Sequence, residues 1–237
     1  MAETKRKKLG IIGGLGPAAS VYFYNRITQH TKASCDQEHI DIVLLSHATT
    51  PDRTRCIISG EDEKIIRSLR ADVETLVGLG VDNIAIPCNT THYYLEQVQE
   101  GFRVPIIHMV RESVDFAVRH RDNVKKIGIM ATDGTIRTGI YDAECRARGV
   151  SAVHPSDTMQ KLVMSLINDD IKAGRAPDRN KFDRVVKELC MEGCDVVILA
   201  CTELSVYKEY HEVPDYCLDA MDVLVRESIL RSGAEYI

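Results

Sequence analysis

The chain has 237 residues, enough for one or two domains with a sizeable buried core. Hydrophobic residues make up 44% and charged residues 27%, which excludes a largely disordered protein. Lys plus Arg number 30 against 35 Asp plus Glu, a net charge of −5, and no apolar stretch approaches the roughly 20 residues that cross a bilayer, so neither nucleic acid nor membrane is an expected partner.

From the N-terminus, Lys5-Arg6-Lys7-Lys8 reads as a solvated leader, because the apolar run behind it is broken at once by Gly13, Gly14 and Gly16. No secretory signal is expected there, which points to the cytosol. Leu9 to Ile12 is a strand, and Pro17 opens a helix at its first position. Ile40 to Leu45 is a second strand. Ile65, Ile66, Leu69, Val73, Leu76 and Val77 recur at helical spacing, with Gly80 as C-terminal cap. Asn83 to Pro87 is predicted as a third strand and Val104 to His108 as a fourth. Lys126 to Ala131 starts the pattern again, with a helix ending near Gly149. A further helix carries Leu162, Val163, Leu166 and Ile167 and stops near Gly174. Phe182 to Leu189 is helical, Asp195 to Ala200 is a strand, and Met221 to Leu230 is the last helix. Strands alternating with helices imply parallel sheets covered on both faces.

The restart is an internal repeat. Ile86-Pro87-Cys88-Asn89-Thr90 ends a strand in one half, and Leu199-Ala200-Cys201-Thr202-Glu203 ends one in the other, 113 residues later. Val104-Pro105 leads to Val110-Arg111-Glu112-Ser113, as Val213-Pro214 leads to Val225-Arg226-Glu227-Ser228. Leu9 to Gly14 parallels Ile127 to Thr132. The expected fold is α/β. Two similar parallel lobes, 1–108 and 109–213, are related by a pseudo-two-fold axis, the C-terminal helix (214–237) returns to the first, and the active site lies in the cleft between them.

Eight cysteines in an apolar-rich cytosolic chain read as thiols rather than disulfides. No CxxC pair suggests a metal site, and Cys190 and Cys194 fall at the end of an apolar helix face. Cys88 and Cys201 differ from the rest. Each stands where a buried strand ends and Asn/Thr residues start the next helix, the edge at which parallel sheets bind ligands. A helix N-terminus lowers a thiol pKa, and its N–H groups, with Asn89, Thr90 and Thr202, suit a carboxylate. One thiol on either side of a small anion suits removal of a proton from one face of a carbon and delivery to the other.

The ordered set Gly13-Gly14-Leu15-Gly16-Pro17, Pro51-Asp52-Arg53-Thr54, Pro87-Cys88-Asn89-Thr90-Thr91-His92, Ala131-Thr132-Asp133-Gly134-Thr135, Gln160-Lys161 and Cys201-Thr202-Glu203 resembles the aspartate/glutamate racemase family, in particular its PLP-independent aspartate racemases. The resemblance covers nearly the whole chain. It implies that Cys88 and Cys201 are the catalytic acid/bases. It also implies substrate contacts from Arg53, Asn89, Thr90, Lys161 and Thr202, no cofactor or metal, a small amino-acid substrate and a homodimer. Leu15, Thr91 and Ala200 stand where that family commonly has Met, Ala and Gly, and none of them removes a reacting group. Arg53 and Lys161 are the expected clamp on a side-chain carboxylate, with Arg53 in a loop after the second strand and Lys161 beginning a helix.

Other readings stay open. Glutamate or both acids as substrate, a hydantoin racemase, and a catalytically silent amino-acid-binding protein share these features. Gly14-x-Gly16-x-x-Ala19 matches a dinucleotide fingerprint, but the second strand ends in Leu45-Ser46-His47 without the carboxylate that a ribose needs, so these glycines read as close-approach positions for substrate. His92 reads as a helix-start cap and His108 as a strand-end core residue. Asp52 reads either as orienting Arg53 or as solvated, and Glu203 either as holding the second cysteine loop or as tuning Cys201.

Overall fold

The computed structural model describes residues 6–237, so Lys5 of the basic leader lies outside it. The chain divides into two compact units. One runs to Met109 and resumes over Met221–Ile237; the other is Val110–Ala220.

In the first unit, β1 (Leu9–Gly13) is buried at every position. A strand apolar on both faces needs cover on both, which helices beside a parallel sheet supply. Pro17 begins α1 (Pro17–His30), where its missing N–H costs nothing. β2 (Ile42–Ser46) lies parallel on one side of β1, with Leu9 opposite Ile42. Then come α2 (Arg53–Ser59) and α3 (Asp62–Gly78), which buries Ile65, Leu69, Val73 and Leu76. β3 (Asn83–Ala85) returns to the other side of β1, with Leu9 opposite Asn83, giving the order β2-β1-β3. A 3-10 turn, Thr90–Tyr94, leads to α4 (Leu95–Gln99).

The fourth strand expected over Val104 to His108 is a single parallel bridge, Ile106 beside Ile84. Pro105 offers only its carbonyl, to the Ile84 N–H at 2.9 Å, and the Ile107 N–H donates to the Ile84 carbonyl at 2.8 Å. The chain then enters α5 (Met109–Arg119), which stops the ladder after one rung.

In the second unit β4 (Lys126–Ala131) is followed by α6 (Asp133–Thr138), α7 (Ile140–Ala147), β5 (Ser151–Val153) and α8 (Asp157–Ser165). Leu166–Ile171 is π-helical. α9 (Arg179–Met191), β6 (Val196–Ala200), α10 (Thr202–Tyr207) and β7 (Cys217–Asp219) complete it. The order β5-β4-β6-β7 repeats the first sheet, with β7 in the place of the Ile106 bridge. β7 also corrects the expected tail boundary of 214. Residues up to Ala220 belong with the second unit, because Val197, Ile198 and Leu199 pair with Cys217, Leu218 and Asp219.

The helix α11 (Ala220–Arg231) brings the chain back to the first unit. There the Lys7 N–H donates to the Ser232 carbonyl at 3.0 Å, the Ile237 N–H to His30 at 2.9 Å, and the Lys32 N–H to Glu235 at 2.9 Å.

Gly14 has φ +85°, and a Cβ there would sit 2.5 Å from the His47 backbone nitrogen. The glycine expected to admit substrate thus has a nearer reason. It lets the turn after β1 lie against the backbone leaving β2.

Candidate active site

In both units the chain passes from the central strand to a neighbour on one side, then crosses to the other: β1 to β2 to β3, and β4 to β5 to β6. The gap beyond the carboxyl ends of β1 and β3, and of β4 and β6, is therefore the topological switch point where such sheets take ligands. Cys88 lies just beyond β3, and Cys201 just beyond β6.

The Cys88 N–H donates to the Ile86 carbonyl at 2.8 Å, turning the chain sharply out of the strand. Cys88, Asn89 and Thr90 are all buried, and the thiol belongs to the apolar cluster of Leu15, Cys56 and Tyr94. The chain beyond Cys88 forms a 3-10 turn, not the expected α-helix, so little helix dipole bears on this cysteine. His92 sits inside that turn, 4% exposed. Its Nε2 accepts the Met109 N–H at 3.1 Å, so its proton is on Nδ1, which donates to the Cys88 carbonyl at 2.9 Å. Burial pushes the ring's pKa below its ordinary value and keeps it neutral. His92 is thus an anchor of the cysteine loop. His108, half-buried, lies beside it with the rings tilted by 44° and their centres 5.4 Å apart.

Arg53 is the first residue of α2 rather than part of a loop, because Asp52 caps that helix and accepts the Arg55 N–H at 2.7 Å. Asp52 thus acts on Arg53 by capping the helix that Arg53 begins. The Arg53 guanidinium donates to the Leu15 carbonyl at 2.5 Å and to Pro51 at 3.2 Å, which aims it between the turns that follow β1 and β2. α2 packs against the 3-10 turn that carries Thr90.

On the second unit Cys201 is 7% exposed and its Sγ donates to Glu203 Oε2 at 2.9 Å. Thr202 Oγ1 donates to the same oxygen at 3.4 Å, and Lys172 Nζ stands 3.9 Å from Glu203 Oε1. The lowered thiol pKa expected of a helix start is reversed here. Burial pushes the Cys201 thiol well up, the Glu203 charge and side-chain hydrogen bond push it further, and the Lys172 charge and the Glu203 backbone N–H pull it part of the way back. α10 has six residues, too few for its dipole to reverse that.

Lys161 does not begin a helix. It lies mid-helix in α8 and is exposed. Gln160 fixes that part of α8 by donating to the Ala131 carbonyl at 3.0 Å and to Asp133 Oδ1 at 2.7 Å. A cavity of about 460 Å³ is lined by Lys161 with Gln160, Asp133, Asp157 and Ser165. Cys201 and Thr202 do not line it. The structure thus packs α2, the helix that Arg53 begins, against the turn that follows Cys88 and Asn89 and carries Thr90, and it sets Cys201 and Thr202 beside Glu203, while Lys161 lines a cavity on α8 that neither Cys201 nor Thr202 reaches. Lys172 carries no sequence signal. The π-helical stretch before it places it beside Glu203.

Two parallel α/β units of matching strand order, each with a buried cysteine just past its switch point, define a duplicated fold with equivalent thiol loops. The chain belongs to the Asp/Glu/Hydantoin racemase family, which it matches over residues 12–228. It is an amino-acid racemase of that family, hence an isomerase. It is 26% identical over 225 residues to the broad specificity amino-acid racemase RacX of Bacillus subtilis, covering 93% of this chain and 96% of that one. The glutamate racemase of Persephonella marina is 28% identical over 151 residues, 62% of this chain and 56% of the relative. Among solved structures, the aspartate racemase of Picrophilus torridus matches with TM-score 0.80 and 26% identity, covering 97% of this chain and 96% of the other. Among the described residues no helix is long and apolar enough to cross a membrane.

Proposed function

We propose that the protein interconverts L- and D-aspartate without PLP, using Cys88 and Cys201 as acid and base on opposite faces of Cα. The observation that carries this reading is the equivalence of the two cysteine loops, each buried and each just past the strand beside its unit's switch point. One sulfur takes the α-proton as thiolate while the other gives its proton to the opposite face, and product leaves with the two roles exchanged.

An α-hydrogen is only weakly acidic, so stabilising the carbanionic transition state dominates the rate. Asn89, Thr90 and Thr202, with the N–H groups around them, are the donors for the α-carboxylate as charge develops on it. That leaves Arg53 and Lys161 for a side-chain carboxylate. Aspartate is the first choice because the match to the Picrophilus aspartate racemase spans nearly both chains. A second reading, broad specificity that includes glutamate, is favoured by the equally long match to RacX. One methylene separates the two acids, worth about 1–3 kcal/mol in a pocket.

The test is turnover of L-Asp, L-Glu, L-Asn and L-Ala in deuterated water, followed by chiral chromatography and mass spectrometry. D-aspartate carrying one α-deuterium is expected, and its loss in both Cys88→Ala and Cys201→Ala. Near-normal racemisation in either variant rules out the two-thiol mechanism. No α-deuterium from any substrate leaves a binding protein.

A further inference from the structure

The racemase reading treats the two cysteines as alike, yet their surroundings differ. Two residues after Cys88 stands Thr90, a hydroxyl; two residues after Cys201 stands Glu203, a carboxylate 2.9 Å from the sulfur. Resting on that reading, we propose that Glu203 is a positioning residue that holds Cys201 as the protonated thiol in the resting enzyme, with Lys172 as its counter-charge.

The geometry asks for this. Glu203 is 7% exposed, and a buried carboxylate needs partners that donate. It has the Cys201 S–H at 2.9 Å, the Thr202 hydroxyl at 3.4 Å and the Lys172 ammonium at 3.9 Å. Were Cys201 ionised at rest, two anions would face each other across the first of these contacts with one cation to offset them. The other charged groups nearby are committed elsewhere. Asp219 of β7 accepts from Ser205 at 2.7 Å and pairs with Lys208 at 3.2 Å. Tyr141 of α7, on which Cys201 also acts, is itself pushed up by burial and stays neutral.

In turnover the S–H bond of Cys201 breaks and a C–H bond forms at Cα. The sulfur keeps the electron pair, and Lys172 is the cation that offsets the new thiolate beside Glu203. The other half-reaction runs this backwards and returns the proton to sulfur. Glu203 thus makes the site asymmetric, with Cys201 the proton donor from the resting state.

The test needs no turnover. Intact protein is alkylated with iodoacetamide from pH 6 to 10, and modification at each cysteine is followed by peptide mass spectrometry. Glu203→Gln is expected to raise the Cys201 rate at pH 8 about tenfold and to leave Cys88 unchanged. Lys172→Met, at an exposed position, is expected to lower the Cys201 rate. Opposite signs from two neighbouring residues separate tuning from loosening. An unchanged Cys201 rate in Glu203→Gln overturns the proposal, as does a joint rise of both cysteines or a Lys172→Met rate that does not fall. Absence of racemisation alongside the expected alkylation pattern overturns the racemase reading and leaves the Glu203 assignment standing.

Discussion

The His92 ring donates to the Cys88 carbonyl at 2.9 Å while its other nitrogen receives the Met109 N–H at 3.1 Å. One buried imidazole thus ties the cysteine loop to the start of α5, and both bonds require the neutral form. His92→Ala removes both of these buried hydrogen bonds, at about 0.5–1.5 kcal/mol each, together with the packing of the ring. The expected result is a marked loss of stability in urea titration.

The same bonds fix a pH dependence. Burial depresses the folded-state pKa of His92 below the ordinary 6.5. The stabilisation is therefore complete above that value and is lost as pH falls and the unfolded chain takes up the proton. Stability measured between pH 7 and 5 is expected to fall in the parent protein and to fall less in His92→Ala. Parallel curves would assign the acid sensitivity to other groups.

At the alkaline end the thiols decide. Burial pushes Cys145 of α7 from 9.0 to about 12, and Cys217 of β7 likewise to about 12. In the unfolded chain both ionise near 9, so between that pH and about 12 the unfolded state holds fewer protons and stability declines as pH rises. The melting temperature is expected to drop steadily above about pH 9. Cys145→Ala is expected to flatten part of the drop at a modest cost at pH 7, which thermal scans from pH 7 to 11 measure.

The C-terminal segment belongs to the first unit energetically as well as topologically. α11 buries Met221, Val223, Leu224, Val225 and Ile229, at about 1.5–3 kcal/mol each. The residues after it hydrogen-bond to Lys7, His30 and Lys32. That sum rivals the whole stability of a domain, about 5–15 kcal/mol. Deleting residues 221–237 is expected to unfold the first unit, seen as loss of far-UV circular dichroism and rapid proteolysis of segments before Met109. Unchanged melting would contradict it.

The parts of the fold legible in the sequence are those that repeat or that are apolar throughout. β1, β4 and β6 are continuous hydrophobic runs, and α3 and α9 show clean helical spacing. The repeat alone marks the two cysteine loops. β5 and β7 escape a reading of periodicity because three residues, Ser151-Ala152-Val153 or Cys217-Leu218-Asp219, give no period to read. α2 escapes it because its signal is a cap, Asp52, in front of a polar turn. Spacing also overstates the helix starts after Cys88 and Cys201, since it does not distinguish a 3-10 turn or a six-residue helix from a longer one. The direction of the Cys201 shift is set by burial and by the Glu203 carboxylate, and both act only once the chain has folded; Lys172, which opposes the shift, lies 29 positions earlier in the chain and meets Glu203 only after folding.

Substrate choice turns on Arg53. Its guanidinium is already aimed by the Leu15 and Pro51 carbonyls, at 2.5 and 3.2 Å. Neither acceptor is charged, so the arginine keeps its full charge for an incoming carboxylate, and its planar fork suits two parallel hydrogen bonds. Removing one charge-assisted bond costs about 1.5–3 kcal/mol, or ten- to a hundredfold and more in kcat/KM. Arg53→Ala is therefore expected to lower aspartate turnover by that factor and to leave asparagine turnover nearly unchanged, since asparagine offers no side-chain charge. Arg53→Lys keeps the charge but not the fork, and is expected to fall between the two. Lys161 lies mid-helix and exposed, so Lys161→Met is expected to weaken KM for aspartate more than kcat. The measurement is the aspartate-to-asparagine ratio of kcat/KM in each variant. A ratio that does not move in Arg53→Ala places the side-chain carboxylate elsewhere on the protein.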